Sequence, residues 1–115
     1  MADALVWHGR VAMLTTTGRR SGLPREVVVG YVEEPDGALL IAATEPAASW
    51  ALNLLDDPRC EVEIGDRRFR ALAEALESAD HARAVRELIL RYGTPSEGLG
   101  RGPSFRLRPG DGDVG

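Results

Sequence analysis

Apolar and polar positions alternate along most of this chain, and in two places the alternation gives way to a helical period. After Trp7, "GRVAMLTTT" closes on a β-branched run, and "REVVVGYVEE" sets Val27, Val29 and Tyr31 two apart, so two strands joined by a loop are expected. Pro35-Asp36-Gly37 carries the residues of a reversing turn, and "ALLIAAT" behind it reads as a short buried strand. In "EPAASWALNLLDDP" the apolar spacing changes to three and four through Ala47, Trp50, Ala51, Leu54 and Leu55. Pro46 suits the first turn of this short helix and Pro58 closes it. "RCEVEIGDRRFRALAEALE" alternates again, with Cys60, Val62 and Ile64 on one face, Glu61 and Glu63 on the other, and Gly65-Asp66 as the tight reversal of a hairpin. From Ser78, expected as an N-cap, "ADHARAVRELILRY" places Ala82, Val85, Leu88, Ile89 and Tyr92 on one helical stripe. The glycine-rich "GTPSEGLGRGP" leads to "SFRLRP", expected as a last edge strand, and to the tail "GDGDVG".

A meander of strands with only two helices interposed argues against a parallel doubly wound sheet. The expected fold is α+β, mainly β: an antiparallel barrel of about six strands with two flanking helices. A chain of 115 residues has the size of one domain, expected here over residues 1–109 with a flexible tail over 110–115. No stretch approaches the roughly 18 uninterrupted apolar residues that a membrane span needs, so none is expected. Met1 to Val6 contains Asp3 and no long apolar run, so a secretory signal is not expected and the cytoplasm is the default location.

The net charge of -4 argues against a surface built to wrap nucleic acid, and no aromatic residue interleaves with the basic segments. All 14 basic residues are arginines, so every fixed cation is a planar fork suited to carboxylate or phosphate. Cys60, the only cysteine, excludes an internal disulfide and falls on an apolar face as a core residue. His8 and His81 lie far apart without ligand-spaced partners, and no serine sits in a nucleophile-elbow pattern. No metal site and no catalytic side chain are assigned.

The segment "TTTGRRSGLPR", residues 15–25, concentrates the candidate chemistry. Thr16, Thr17 and Ser21 offer hydroxyls, Gly18 and Gly22 let the backbone turn with its amides exposed, and Arg19, Arg20 and Arg25 supply charge. Such a loop can hold a polyanion through charge-assisted hydrogen bonds. It lacks the lysine and following hydroxyl residue of a triphosphate-binding loop. Residue types alone leave a second reading open, a solvated turn whose arginines pair with Glu26 or Glu33. Trp50 likewise has two readings, a core anchor for its helix or an aromatic wall beside a flat ligand, with Asn53 on the same helical face.

Taken together, "LTTTGRRSGLPREVVVGYV", "LLIAAT", "SWALNLLDDPRCEVEIGDRRFRALA" and "GPSFRLRP" resemble the deazaflavin-dependent nitroreductase and quinone reductase family, in order over roughly residues 10 to 109. The Thr-Thr-Gly-Arg-basic-Ser/Thr-Gly-x-x-Arg and Trp-x-x-Asn-Leu elements carry the resemblance. It implies a split β-barrel that uses coenzyme F420, with FMN as the alternative cofactor. Arg19, Arg20, Ser21 and Arg25 would grip the cofactor's phosphate and polyglutamate tail, with Glu26, Val27 and Val28 running beside it. Ala42, Ala43 and Thr44 would line the deazaflavin ring, Trp50 and Asn53 would close the site, and Tyr92 would belong to the substrate pocket. The implied activity is hydride transfer between reduced cofactor and a small flat electrophile such as a quinone, enone or nitroaromatic. A cofactor-binding protein without turnover, or a dimeric interaction module, is the alternative. Split barrels often complete their cleft across a homodimer, for which "RCEVEIG" and "SFRLRP" are candidate strands. The chain departs from the family pattern at Val28, where a proline is usual, at Ala51, and in the short segment Glu45-Pro46-Ala47-Ala48, which carries an acid in place of glycines and a lysine.

Overall fold

Strands at Ala12–Thr17 (β1), Pro24–Val29 (β2), Val32–Glu33 (β3), Leu39–Ala42 (β4), Arg59–Ile64 (β5), Arg67–Ala75 (β6) and Ser104–Pro109 (β7) alternate with helices at Ser49–Asp56 (α1) and Ser78–Tyr92 (α2). These elements come from a computed structural model that describes residues 10–92 and 100–110. Residues 1–9, with His8 and the N-terminal expectation, lie outside the described residues, as do 93–99 of the glycine-rich segment and 111–115 of the tail. All seven strands join one antiparallel sheet in the order β2-β1-β5-β6-β7-β4-β3. The expected mainly-β antiparallel fold with two helices is therefore present.

Several local expectations change. The second expected strand divides into β2 and β3 because the backbone leaves the sheet at Gly30 and Tyr31, where the Tyr31 N–H donates to the Tyr92 hydroxyl at 3.0 Å. The strand β7 is not an edge: it pairs with β6 on one side and β4 on the other. Its Pro109 is tolerated because it stands at the strand's last position. Helix α1 starts at Ser49 behind Ala48, so Pro46 precedes the helix instead of opening it. At α2 the Glu77 carbonyl accepts the N–H groups of Asp80 and His81, at 3.1 and 3.3 Å, which moves the cap one residue ahead of Ser78. The buried stripe of α2 is Ala84 and Leu88, whereas Ala82, Ile89 and Leu90 face solvent.

In-register pairs explain which side chains share a face. Thr16 stands opposite Arg25 and Cys60, and Leu14 opposite Val27 and Val62, so these positions share one face. Leu14, Val27, Cys60 and Val62, with Leu39, Ile41, Phe105 and Leu107, enclose a core that α1 plugs with Ala51 and Leu54, while Arg25 lies at its exposed end. Cys60 is buried there as expected. On the opposite side of the sheet α2 packs across β4 and β7, around Leu40, Leu76 and Ala84.

An ionic cluster joins the turn after β3 to this second layer. The Glu34 carboxylate accepts hydrogen bonds from Arg106 on β7 and Arg83 on α2, both at 2.8 Å, and the Glu34 and Arg106 side chains are each only 13% exposed. Burial alone would raise the Glu34 carboxyl, but the hydrogen bonds from Arg106 and Arg83 outweigh it and hold the group below its usual value of 4.5. A carboxyl depressed in the folded state adds stability that is complete above its unfolded value and is lost as pH falls through the folded one. Stability should therefore decline as pH drops below 4.5, and Glu34→Gln should flatten that part of the profile. Urea titrations between neutral and acid pH measure it; an unchanged acid limb in the variant would contradict the assignment.

Candidate functional site

The loop between β1 and β2 closes on itself. The Gly18 N–H donates to the Leu23 carbonyl and the Gly22 N–H to the Gly18 carbonyl, each at 2.8 Å, while the Leu23 N–H donates to Ser21 Oγ at 3.1 Å. The amides of Gly18 and Gly22 are thus internal partners, not the exposed donors expected, because a tight reversal must satisfy its own backbone. Ser21 braces the turn through its hydroxyl oxygen.

Arg19 folds back onto α1. Its N–H and Nη1 donate to Asn53 Oδ1 at 3.2 and 2.8 Å, and Nη1 also reaches the Ser49 carbonyl at 3.3 Å. Asn53 is buried and donates from Nδ2 to Thr16 Oγ1 at 3.1 Å. The neighbouring cations differ: among the described residues no acceptor pairs with the guanidinium of Arg20 or Arg25. Among the described residues these arginines are not paired with Glu26 or Glu33. Glu33 pairs with Arg67 at 3.4 Å, and Glu26 stands opposite Thr15 on the other side of the sheet, in a depression with Glu61, Arg68 and Arg70. Arg25 points toward α1 because its register partner is inward-facing Thr16. Gly18, Arg19, Arg20, Ser21, Arg25, Ser49 and Asn53 surround a recess of about 410 Å³.

A second recess, about 360 Å³, opens one residue along α1. Val28, Ala42, Ala43, Thr44, Trp50 and Tyr92 line it, together with Val11, Val29, Gly30 and Leu88. Its volume falls in the roughly 300–1,000 Å³ range of small-molecule sites. Trp50 satisfies both of its readings: it packs against the core with its ring 5.9 Å from that of Phe105, and it forms a wall of the recess. Val27 packs against the core and lines neither recess. Val11, Val29, Gly30 and Leu88 carried no chemical signal in the sequence, since they are aliphatic or bare positions that only the fold makes into walls.

Tyr92 is a clamp as well as a wall. Its oxygen accepts the Tyr31 N–H, and its O–H lies 2.8 Å from the Arg10 carbonyl and 3.1 Å from that of Tyr31. A side chain at Gly30 would bring its Cβ to 2.9 Å from the Tyr92 ring, so only a bare position admits that ring. The segment after β4 is held in a similar way. Gly102 lies so close beneath the Glu45 carbonyl that any Cβ there would overlap it. Glu45 itself is exposed and lines none of the recesses described here, so its carboxylate stays clear of both.

The model of the F420H(2)-dependent quinone reductase family matches residues 4–95. The F420H(2)-dependent quinone reductase Rv1261c of Mycobacterium tuberculosis (strain ATCC 25618 / H37Rv) is 30% identical over 71 residues, which cover 59% of this chain and 48% of that protein. The chain thus spans about half the length of the curated relatives it matches. Among solved structures, an F420-H2 dependent reductase (FDR-A) superposes with a TM-score of 0.74 at 25% identity, covering 86% of this chain and 94% of that one. A structure described as a domain-swapped dimer gives a TM-score of 0.75 at 25% identity, covering 94% of this chain and 87% of that one.

The clamp has a measurable consequence. Tyr92→Phe removes the acceptor of the Tyr31 N–H and should cost about 1–3 kcal/mol in urea denaturation, the usual effect of depriving an enclosed donor of its partner. Gly30→Ala should destabilise by a similar amount, about 1–3 kcal/mol, through crowding against the ring. Unchanged midpoints in both would show that the clamp is not holding the wall.

Proposed function

The chain belongs to the F420H(2)-dependent quinone reductase family, and from that membership we propose that it binds coenzyme F420 across the two recesses and reduces a small flat electrophile. A quinone is the first substrate class to test, with enones and nitroaromatics beside it. One observation carries the reading: the first turn of α1 serves both recesses, with Ser49 beside Arg20 and Arg25, which have no partner among the described residues, and Trp50 in the apolar recess. A ligand with a flat apolar head and an anionic tail matches that pair of surfaces.

When bound, the reduced cofactor supplies a hydride from its deazaflavin ring. Arg20 and Arg25 neutralise the tail, with forks suited to phosphate and carboxylate. Trp50, Val28 and the strand end Ala42 to Thr44 give the head an apolar berth from which water is displaced. The only ionisable side chain on the described lining of that berth is Tyr92, and its hydroxyl is committed to backbone groups. Solvent therefore delivers the proton that completes reduction of the electrophile.

A homodimer belongs to the same reading, supported by the dimeric form described for one similar structure. β5 and β7 cannot add strands at an edge, since each is flanked on both sides. The uncovered depression where Glu26 and Glu61 stand among Arg59, Arg68 and Arg70 carries both signs of charge and suits face-to-face packing of two copies. Light scattering on the eluting protein should give twice the chain mass; a monomer at all concentrations would oppose it.

Mixing the protein with reduced F420 and menadione should return the absorbance of oxidised deazaflavin, whereas binding without turnover would favour the cofactor carrier. In titrations, Arg20→Ala and Arg25→Ala should each weaken F420 binding by about 1–3 kcal/mol, the range for a charged hydrogen bond. FMN, which lacks the polyglutamate tail, should bind more weakly than F420. Undiminished F420 binding in both arginine variants would refute the tail assignment.

A further inference from the structure

We propose that Arg19 and Asn53 act as a positioning pair, in which the buried Asn53 carboxamide locks the arginine loop to α1 so that Arg20 and Arg25 face the recess. The inference rests on the proposed anion-binding reading of that recess and divides its residues into ligands and struts.

The chemistry of the carboxamide leaves little freedom. Asn53 is only 3% exposed. Its Oδ1 already accepts two hydrogen bonds, from the Arg19 N–H and from Arg19 Nη1, which matches the two lone pairs of an amide oxygen. Its Nδ2 faces Thr16 Oγ1 at 3.1 Å. Rotating the amide by half a turn would set its NH2 against both Arg19 donors, so the orientation is fixed by the partners. The Arg19 fork spans Asn53 and the Ser49 carbonyl, and those contacts turn it toward the helix. Arg20 follows in the chain directly, and Arg25 stands in register with the same Thr16 that orients Asn53. One side chain thus ties β1, the loop and α1 together at the edge of the recess, and the helix it fixes also carries Trp50 into the apolar berth.

A double-mutant cycle on the intact chain separates strut from ligand. The probes are coenzyme F420 and the ribityl deazaflavin fragment without phosphate and glutamate tail, both titrated by absorbance. Asn53→Ala should weaken F420 binding about 5- to 10-fold, the scale of one charged hydrogen bond misplaced, and leave binding of the fragment nearly unchanged. Adding Arg19→Ala to Asn53→Ala should cost nothing more, because Arg19 acts through Asn53. Equal losses from Arg19→Ala with and without Asn53 would make Arg19 a direct ligand and overturn the proposal. Equal loss of F420 and of the fragment in Asn53→Ala would overturn it too, since the residue would then serve general stability. If Asn53→Ala does not fold, Thr16→Val decides: it keeps the shape of Thr16 and removes the hydroxyl that orients the amide. It should weaken F420 selectively over the fragment, and no selective loss would overturn the proposal. Failure of the underlying reading shows separately, as F420 affinity insensitive to both Arg20→Ala and Arg25→Ala.

Discussion

A buried carboxamide midway along a two-turn helix sets the relation between strand, loop and helix on which the rest of the candidate site depends. Asn53 accepts from Arg19 and donates to Thr16, so the first loop cannot move independently of β1 or of α1. Nothing in helix propensity holds α1 in place: its N-terminus has no side-chain cap, its first turn carries no acid and its last turn no base. Eight residues are too few to be stable alone. Ala51 and Leu54 in the core and Asn53 in the polar junction locate the helix, and through it both recesses.

The sheet contributes a division of labour between its two faces. Inward positions of β1, β5 and β7 pack the core, and Arg25, on the same face as Thr16, stands at the exposed recess beside the helix. On the outer side α2 covers the half of the sheet around β4 and β7, with Glu34 and Arg106 securing the corner. The other half, from β2 to β6, keeps its alternating acids and arginines uncovered.

Period and turn chemistry were enough to find six strand segments, the Pro35-Asp36-Gly37 turn, the Gly65-Asp66 hairpin, both helices and the inward face of β5, but not the break at Gly30 and Tyr31 that makes a seventh strand. They could not say that β7 lies between two strands, because a six-residue segment ending in proline reads equally as an edge. The stripe of α2 is legible only in part for a related reason. Leu88 is buried as its spacing implies, but Ala82 and Ile89 continue the same spacing and face solvent, and only packing against β4 turns Ala84 inward. At the site, the arginines and Trp50 stood out by residue type. The roles of Arg19 and of the Gly18 and Gly22 amides did not, since both depend on partners brought close by folding: a helix some thirty residues away for Arg19, and the closure of the loop for the glycines. Tyr92 joins Gly30, Tyr31 and Arg10 across a still longer separation, and no local pattern announces such a clamp.

In the proposed complex one ligand lies across α1, its flat head against Trp50 and its anionic tail on Arg20 and Arg25. A crystal structure of the protein with coenzyme F420 tests this most directly. It should show the tail's phosphate or carboxylates within hydrogen-bonding distance of both arginines and the ring between Val28, Trp50 and the strand end at Ala42 to Thr44. A cofactor seated instead on the Arg59, Arg68 and Arg70 face, or with its tail away from Arg20 and Arg25, would contradict it.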